Sequence, residues 1–174
     1  RNFFNKTKTL VKIGVISDTH GHLDENVFEY FKDCDEIWHA GDIGDLAVTD
    51  SLKKFKRLKC VFGNIDGAEA RREFKETIRF TAGGLVVMIT HIGGRQYVYT
   101  PNIREDLKKN PPDIFVCGHS HILKVGYDKR FGFLYINPGA AGIHGIHKVK
   151  TLIRFDIINK KPQNMEVIEL GNRA

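Results

Sequence analysis

Residues 10–22 read Leu-Val-Lys-Ile-Gly-Val-Ile-Ser-Asp-Thr-His-Gly-His. Val11, Ile13, Val15 and Ile16 make a short β-rich apolar run. Behind it stand Asp18 and His20, one residue apart. In extended chain an i, i+2 pair points to one side, so both can approach one site.

The same arrangement recurs along the chain. Residues 37–40 lead to Gly41-Asp42, 60–62 to Gly63-Asn64, 86–90 to His91, and 114–117 to Gly118-His119-Ser120-His121. Five strand-like runs thus end in a side chain with a nitrogen or oxygen lone pair. The steps Asp18→Asp42, Asp42→Asn64, Asn64→His91 and His91→His119 are 24, 22, 27 and 28 residues, about a strand, a crossover and the next strand. In open α/β sheets, ligands bind beyond the carboxyl ends of strands, so the pattern gathers five ends around one crevice.

Between these ends the chain reads as alternating elements. Helices are expected over 24–32, 46–57 and 100–109, strands over 10–17, 36–40, 58–62 and 113–117. Hairpins are expected over 76–90 (turned at Ala82-Gly83-Gly84), 123–136 and 150–170 (turned at Asn159-Lys160-Lys161-Pro162). The expectation is an α/β chain with one domain over 10–170, a basic tail over 1–9 and a short tail over 171–174.

Composition is that of an ordinary folded protein: 174 residues, 41% hydrophobic and 28% charged. No run of about 18 uncharged apolar residues exists, which excludes a membrane-spanning helix. The opening stretch is basic, is broken by Lys12 and lacks a cleavage pattern, so it is not read as a signal peptide. Cys34, Cys60 and Cys117 form no C-x-x-C pair and read as buried thiols of a cytoplasmic protein. The net charge of +6 favours anionic substrates, but its basic residues are scattered, and no specific nucleic acid is expected.

Two carboxylates, one amide oxygen and four imidazoles, with no thiolate, suit Mn²⁺, Fe²⁺, Ni²⁺ or Zn²⁺ in a reactive centre rather than a structural zinc site. Seven ligands exceed one tetrahedral ion, so two ions sharing Asp42 are expected. Two divalent ions contribute about +4; the two carboxylates and a bridging hydroxide reduce this to about +1. That sign favours a phosphoryl group, and two metals activate a bridging water for in-line displacement. Arg95 reads as a candidate phosphate clamp, His144 and His147 as candidates for substrate contact, and His22 as a neighbour of the site. His39 reads as a core or supporting residue, and Asn137-Pro138-Gly139 as a turn.

The ordered set Asp18-x-His20, Gly41-Asp42, Gly63-Asn64-x-Asp66, His91 and Gly118-His119-Ser120-His121 resembles the calcineurin-like metallophosphoesterase superfamily. Residues 16–22, 39–42 and 137–140 look like its small phosphodiesterases of the YfcE type. The resemblance implies two mixed β-sheets packed as a sandwich and flanked by helices. It assigns Asp18, His20 and His121 to one metal, Asn64, His91 and His119 to the other, and Asp42 to both. It makes Asp42, Asn64 and His91 catalytic through the metal centre and implies a small phosphodiester as substrate.

Two departures stand out. Many relatives carry His after the motif Asn, where it protonates the leaving group; here that residue is Ile65. Residues 90–94 read Thr-His-Ile-Gly-Gly rather than the common Thr-His-Gly-His. A non-catalytic scaffold like the related retromer subunit, and a nuclease, are the alternatives. The oligomeric state stays open, a homo-oligomer included.

Overall fold

In the computed structural model, which describes residues 9–173, the inner faces of two five-stranded sheets form the centre of the molecule. The elements in chain order are β1 (Leu10–Ile16), α1 (Asn26–Phe31), β2 (Glu36–His39), α2 (Leu46–Phe55), β3 (Arg57–Cys60) and α3 (Ala68–Glu73). There follow β4 (Thr77–Ala82), β5 (Leu85–Thr90), β6 (Gly94–Arg95), β7 (Val98–Tyr99), α4 (Pro101–Lys109) and β8 (Ile114–Val116). The chain ends with β9 (Lys124–Asp128), β10 (Phe133–Asn137), β11 (Val149–Ile158) and β12 (Lys161–Asn172).

One sheet has the order β12-β11-β1-β2-β3, the other β4-β5-β8-β10-β9. Both are mixed: β1, β2 and β3 run parallel, as do β5, β8 and β10, and the remaining pairs within these sheets are antiparallel. Alternation along the strands builds the layers. Ile13 and Val15 of β1 meet Val87 and Ile89 of β5, Ile114 and Val116 of β8, and Ile136 of β10 between the sheets. The intervening residues face outward. Ile16 and Ile37 pack with Val27, Phe31 and Leu52 of α1 and α2, while Met88 and Phe115 pack with Leu107 of α4. The result is the helix-flanked sandwich of two mixed sheets that the resemblance implied.

Several boundaries differ from the sequence reading. Lys56 is extended (φ −145°, ψ 166°), so α2 ends at Phe55 and Arg57 joins β3, paired in parallel with β2. The last hairpin turns on two residues, Asn159 and Lys160, both at positive φ, as a tight two-residue turn requires. Lys161 and Pro162 already belong to β12, where proline is tolerated because the strand lies at the sheet edge. β12 continues to Asn172, so Gly171 and Asn172 are strand rather than tail. The expected basic tail falls on residues 1–8, outside the described residues, apart from Thr9, which bonds to Asn159. Helix α3 and the β6–β7 pair were not anticipated; both are short enough to leave no periodicity. Among the described residues no helix is long and apolar enough to cross a membrane, and all three cysteines are free and buried.

Candidate metal centre

Strands β1, β2, β3, β5 and β8 each release their chain toward one crevice between the two sheets. Five of the seven expected ligands occupy the left-handed backbone region: Asp18 (φ 53°), His20 (46°), Asp42 (53°), His119 (69°) and His121 (58°). Residues with a Cβ enter that region at a cost on the order of 1 kcal/mol each. Such strain collects at sites whose surroundings over-determine the backbone. Here the surroundings are hydrogen bonds between the loops. Asp18 N–H donates to Gly41 O (3.0 Å), His20 N–H to Asp42 O (3.0 Å), Gly118 N–H to His91 O (3.0 Å) and Ala141 N–H to Ser17 O (2.9 Å).

The side chains fall into two sets. Asp18, His20 and His121 place one ligand atom each within 4.8 Å of one another, and so do Asp42, His91 and His119. Asp42 faces both sets: Oδ2 lies 3.5 Å from His20 Nε2, and Oδ1 lies 3.2 Å from His91 Nε2. Asp18, fully buried, accepts at Oδ2 from Ser17 Oγ–H (2.7 Å) and His119 N–H (3.1 Å). Its Oδ1 lies 3.2 Å from His121 Nε2. Asn64 is exposed on the turn after β3 and lines, with His91, a cavity of about 460 Å³.

Three buried atoms of the two sets have no hydrogen-bond partner: Asp18 Oδ1, His20 Nε2 and His91 Nε2. Buried polar atoms are normally satisfied, and oxygen and imidazole nitrogen lone pairs converging on one space fit a divalent cation. Close approach of backbone completes the cradle. A Cβ on Gly63 would collide with the Asp42 carboxylate, and one on Gly118 with Ser17 Oγ and Asp18 Oδ2.

The electrostatics follow from burial and pairing. Burial, the largest single effect, raises the Asp42 carboxyl, but the neighbouring His91 ring, the Ile65 N–H and His20 together outweigh it and hold it below the usual carboxylate range. For His91, burial pulls the pKa down, while Asp42 and Asp18 together carry it above the ordinary histidine value. In His20, burial prevails over the two carboxylates, and its pKa is lowered.

Supporting residues hold this arrangement. His91 Nδ1–H donates to Ala40 O (2.7 Å), which turns Nε2 toward Asp42. Asp66 is 4% exposed and accepts from Ile43 N–H (3.1 Å), Gly44 N–H (2.9 Å) and Gly63 N–H (2.7 Å), tying the loop after β2 to the turn after β3. Asn137 Nδ2 donates to Gly118 O (3.0 Å) and Ser120 Oγ (3.1 Å), so the Asn-Pro-Gly turn also holds the His119–His121 loop. The motif reading included Asp66 and Asn137 but not these roles, because their bonds run to backbone groups distant in sequence.

His39 is fully buried and stands behind the expected ligands. Gly41 N–H donates to its Nδ1 (3.1 Å), so Nε2–H donates to Thr19 Oγ1 (3.0 Å), whose own hydrogen goes to Ile43 O (3.0 Å). Burial pushes its pKa from 6.5 down to about 4. Between those values the unfolded chain binds a proton that the folded chain refuses, so stability is intact above pH 6.5 and falls as the pH drops toward 4. This group alone is expected to remove about 2 kcal/mol between pH 7.5 and 5. Urea titrations at the two pH values, on wild type and His39→Gln, check this: the variant should lose less stability on acidification, and an equal loss would contradict it.

The remaining candidates differ in how they stand to this core. Arg95 sits on β6 and lines a separate hollow with Ser120, Ile122 and Lys124. The arginine on the cavity beside Asn64 and His91 is Arg71, held over the Phe62 ring (4.5 Å) with Nε donating to Asp66 O (2.8 Å). Its α3 position hid it from the motif reading. His22 lies in the β1 loop, with a buried Nε2 that has no hydrogen-bond partner. His144 stacks on His20 (5.9 Å between centroids), and His147 meets His121.

The comparisons bear on the fold and the family. A probable metallophosphoesterase of Methanocaldococcus jannaschii is 28% identical over 163 residues, 90% of this chain and 81% of that protein. The solved structure of a novel archaeal phosphodiesterase is 26% identical and superposes with a TM-score of 0.74, covering 92% of this chain and all of that one. Vps29 of Entamoeba histolytica, solved as a complex with Zn²⁺, shares the fold at 17% identity, with a TM-score of 0.62 over 91% of this chain and 99% of that one. Residues 11–160, almost the whole of the sandwich, match the calcineurin-like phosphoesterase superfamily domain, and the chain belongs to that superfamily.

Proposed function

We propose that the protein is a dinuclear metal-dependent phosphodiesterase acting on small or activated phosphodiesters. The observation that carries this reading is Asp42, whose two carboxylate oxygens face the two side-chain sets separately, beside buried lone pairs without partners. Asp18, His20 and His121 would hold one ion, Asn64, His91 and His119 the other, and Asp42 both. Two divalent ions held there would supply an acidified water as nucleophile and positive charge opposite the phosphoryl oxygens. Asp18 and Asp42 leave the loaded centre weakly positive, which favours a phosphodiester over a neutral substrate. The cavity walled by Phe62, Asn64, Arg71 and Asn102 is of a size for a small molecule. The phosphodiesterase named among the relatives supports the substrate class.

Ile65 is 47% exposed beside Asn64 and offers no proton to a leaving group. The enzyme is therefore expected to prefer aryl over alkyl diesters. Ile65→His is expected to raise turnover of alkyl diesters by on the order of 10-fold or more while leaving good leaving groups nearly unchanged, since a positioned acid contributes roughly 10²–10⁴-fold. Steady-state rates on paired aryl and alkyl diesters measure this; equal gains on both would count against it.

The primary test is metal analysis of the purified protein coupled to a screen of diesters, monoesters and cyclic nucleotides with Mn²⁺, Ni²⁺, Fe²⁺ and Zn²⁺. Mn²⁺ is the ion expected to support most activity. Absence of turnover with every ion, with Asp42→Ala and His91→Ala indistinguishable from wild type, would sink the reading. The fold shared with Vps29 favours a second reading, a protein-interaction scaffold. Four convergent imidazoles argue against it, because a docking surface has no need of them.

A further inference from the structure

The loop of residues 142–147, Gly-Ile-His-Gly-Ile-His, lies against the first side-chain set. His147 Nε2 lies 2.8 Å from Gly142 O. A carbonyl only accepts, so this nitrogen carries the hydrogen and, in the neutral ring, the lone pair is on Nδ1. That Nδ1 lies 3.2 Å from His121 Nδ1. Two lone pairs cannot face each other at this distance, so His121 Nδ1 is the donor. The consequence is a defined tautomer: His121 is left with its lone pair on Nε2, 3.2 Å from an Asp18 Oδ1 that accepts no hydrogen bond, an arrangement of two acceptors that a cation between them would reconcile.

We propose that His147 is a positioning residue for the centre: by accepting the His121 Nδ1 hydrogen, it presents the His121 Nε2 lone pair to the ion shared with Asp18 and His20. The inference about the ion rests on the dinuclear reading above, whereas the hydrogen bond does not. His121 thereby differs from His91, whose Nδ1–H is held by a backbone carbonyl, Ala40 O. An imidazole acceptor belongs to a side chain, so this orientation depends on the loop that carries it. That loop is seated on the ring. Gly145 has φ 122°, and a Cβ there would collide with His121 Nδ1. His144, from the same loop, stacks on His20 at 28° between ring planes. One six-residue segment thus braces both histidines of the first set and neither His91 nor His119.

Removing such an outer partner typically lowers metal affinity 10–100-fold. Two variants of the full chain separate orientation from packing. His147→Phe fills the space without an acceptor, while His147→Asn places Oδ1 about where Nδ1 lies. Long-range ¹H–¹⁵N imidazole spectra are expected to show the Nδ1–H tautomer at His121 in wild type and its loss in His147→Phe. Calorimetry with Mn²⁺ alone is expected to show two binding events in wild type. In His147→Phe one should weaken 10–100-fold and the other stay unchanged, with substantial recovery in His147→Asn.

An Nε2–H tautomer at His121 in the wild type would overturn the proposal, as would His147→Phe binding Mn²⁺ like wild type or matching His147→Asn. Wild type binding fewer than two Mn²⁺ ions would overturn the dinuclear reading and the proposed role toward the ion together. Two bound ions with unchanged affinity in His147→Phe would overturn the positioning role alone.

Discussion

Asp42→Ala is expected to lower kcat/KM on an aryl phosphodiester by on the order of 10³-fold, the scale set by loss of one preorganised charge, and to reduce the bound Mn²⁺ from two ions to one at most. The reason is its position. Oδ2 faces His20 and Oδ1 faces His91, so one truncation takes a ligand from both sets. It also leaves Ile65 N–H without its 3.2 Å acceptor. Asp42→Asn separates the two consequences. The amide oxygen can still accept from Ile65 N–H, but the negative charge opposing two cations is gone. His91→Ala should differ in kind, because the set of Asp18, His20 and His121 stays complete and one ion should remain. Metal content after gel filtration, read with steady-state rates and circular dichroism, distinguishes these cases. An Asp42→Asn protein with two ions and wild-type turnover would remove Asp42 from the centre.

The second large effect is on stability. Asp66→Ala is expected to cost about 4 kcal/mol, since it deprives three backbone N–H groups of a charged acceptor, each worth roughly 1.5–3 kcal/mol and not fully additive. For a chain of this size that corresponds to a fall in Tm of about 10–15 °C. The groups released are Ile43, Gly44 and Gly63, on the loops that carry Asp42 and Asn64. Turnover should therefore fall as well, even though Asp66 itself has no place among the ligands. Thermal and urea denaturation measure the cost; a loss below about 1 kcal/mol would mean that other contacts hold the two loops together.

The fold and the site were legible to different degrees, for physical reasons. Strand β1 announces itself because residues 13–16 are buried without a break, as are all three residues of β8. The glycine turn between β4 and β5 was equally plain. Helix α3, at six residues, is too short to show a period, and Arg71, which it carries to the cavity, was missed with it. Nearness to His91 in sequence favours Arg95. The β6–β7 pair that follows sets it in another hollow. Sequence alone makes His147 a candidate for substrate contact, whereas its nitrogens meet His121 and Gly142. That distinction depends on which ring atom faces which, and residue spacing does not encode it.

By itself the sequence determined that five apolar runs end in lone-pair donors, because strand periodicity and the chemistry of Asp, Asn and His are local properties. It also determined the absence of a histidine at position 65. Tertiary structure alone decided how those ends meet. β1, β2 and β3 come from one sheet and β5 and β8 from the other, so the crevice lies between two layers rather than along one sheet edge. It also decided that five of the expected ligands sit in left-handed backbone conformations, held there by hydrogen bonds between loops far apart in the chain. The orientations of His91 and His121 were settled in the same way, since the Nδ1 of each meets a partner on another loop and leaves Nε2 facing the carboxylates.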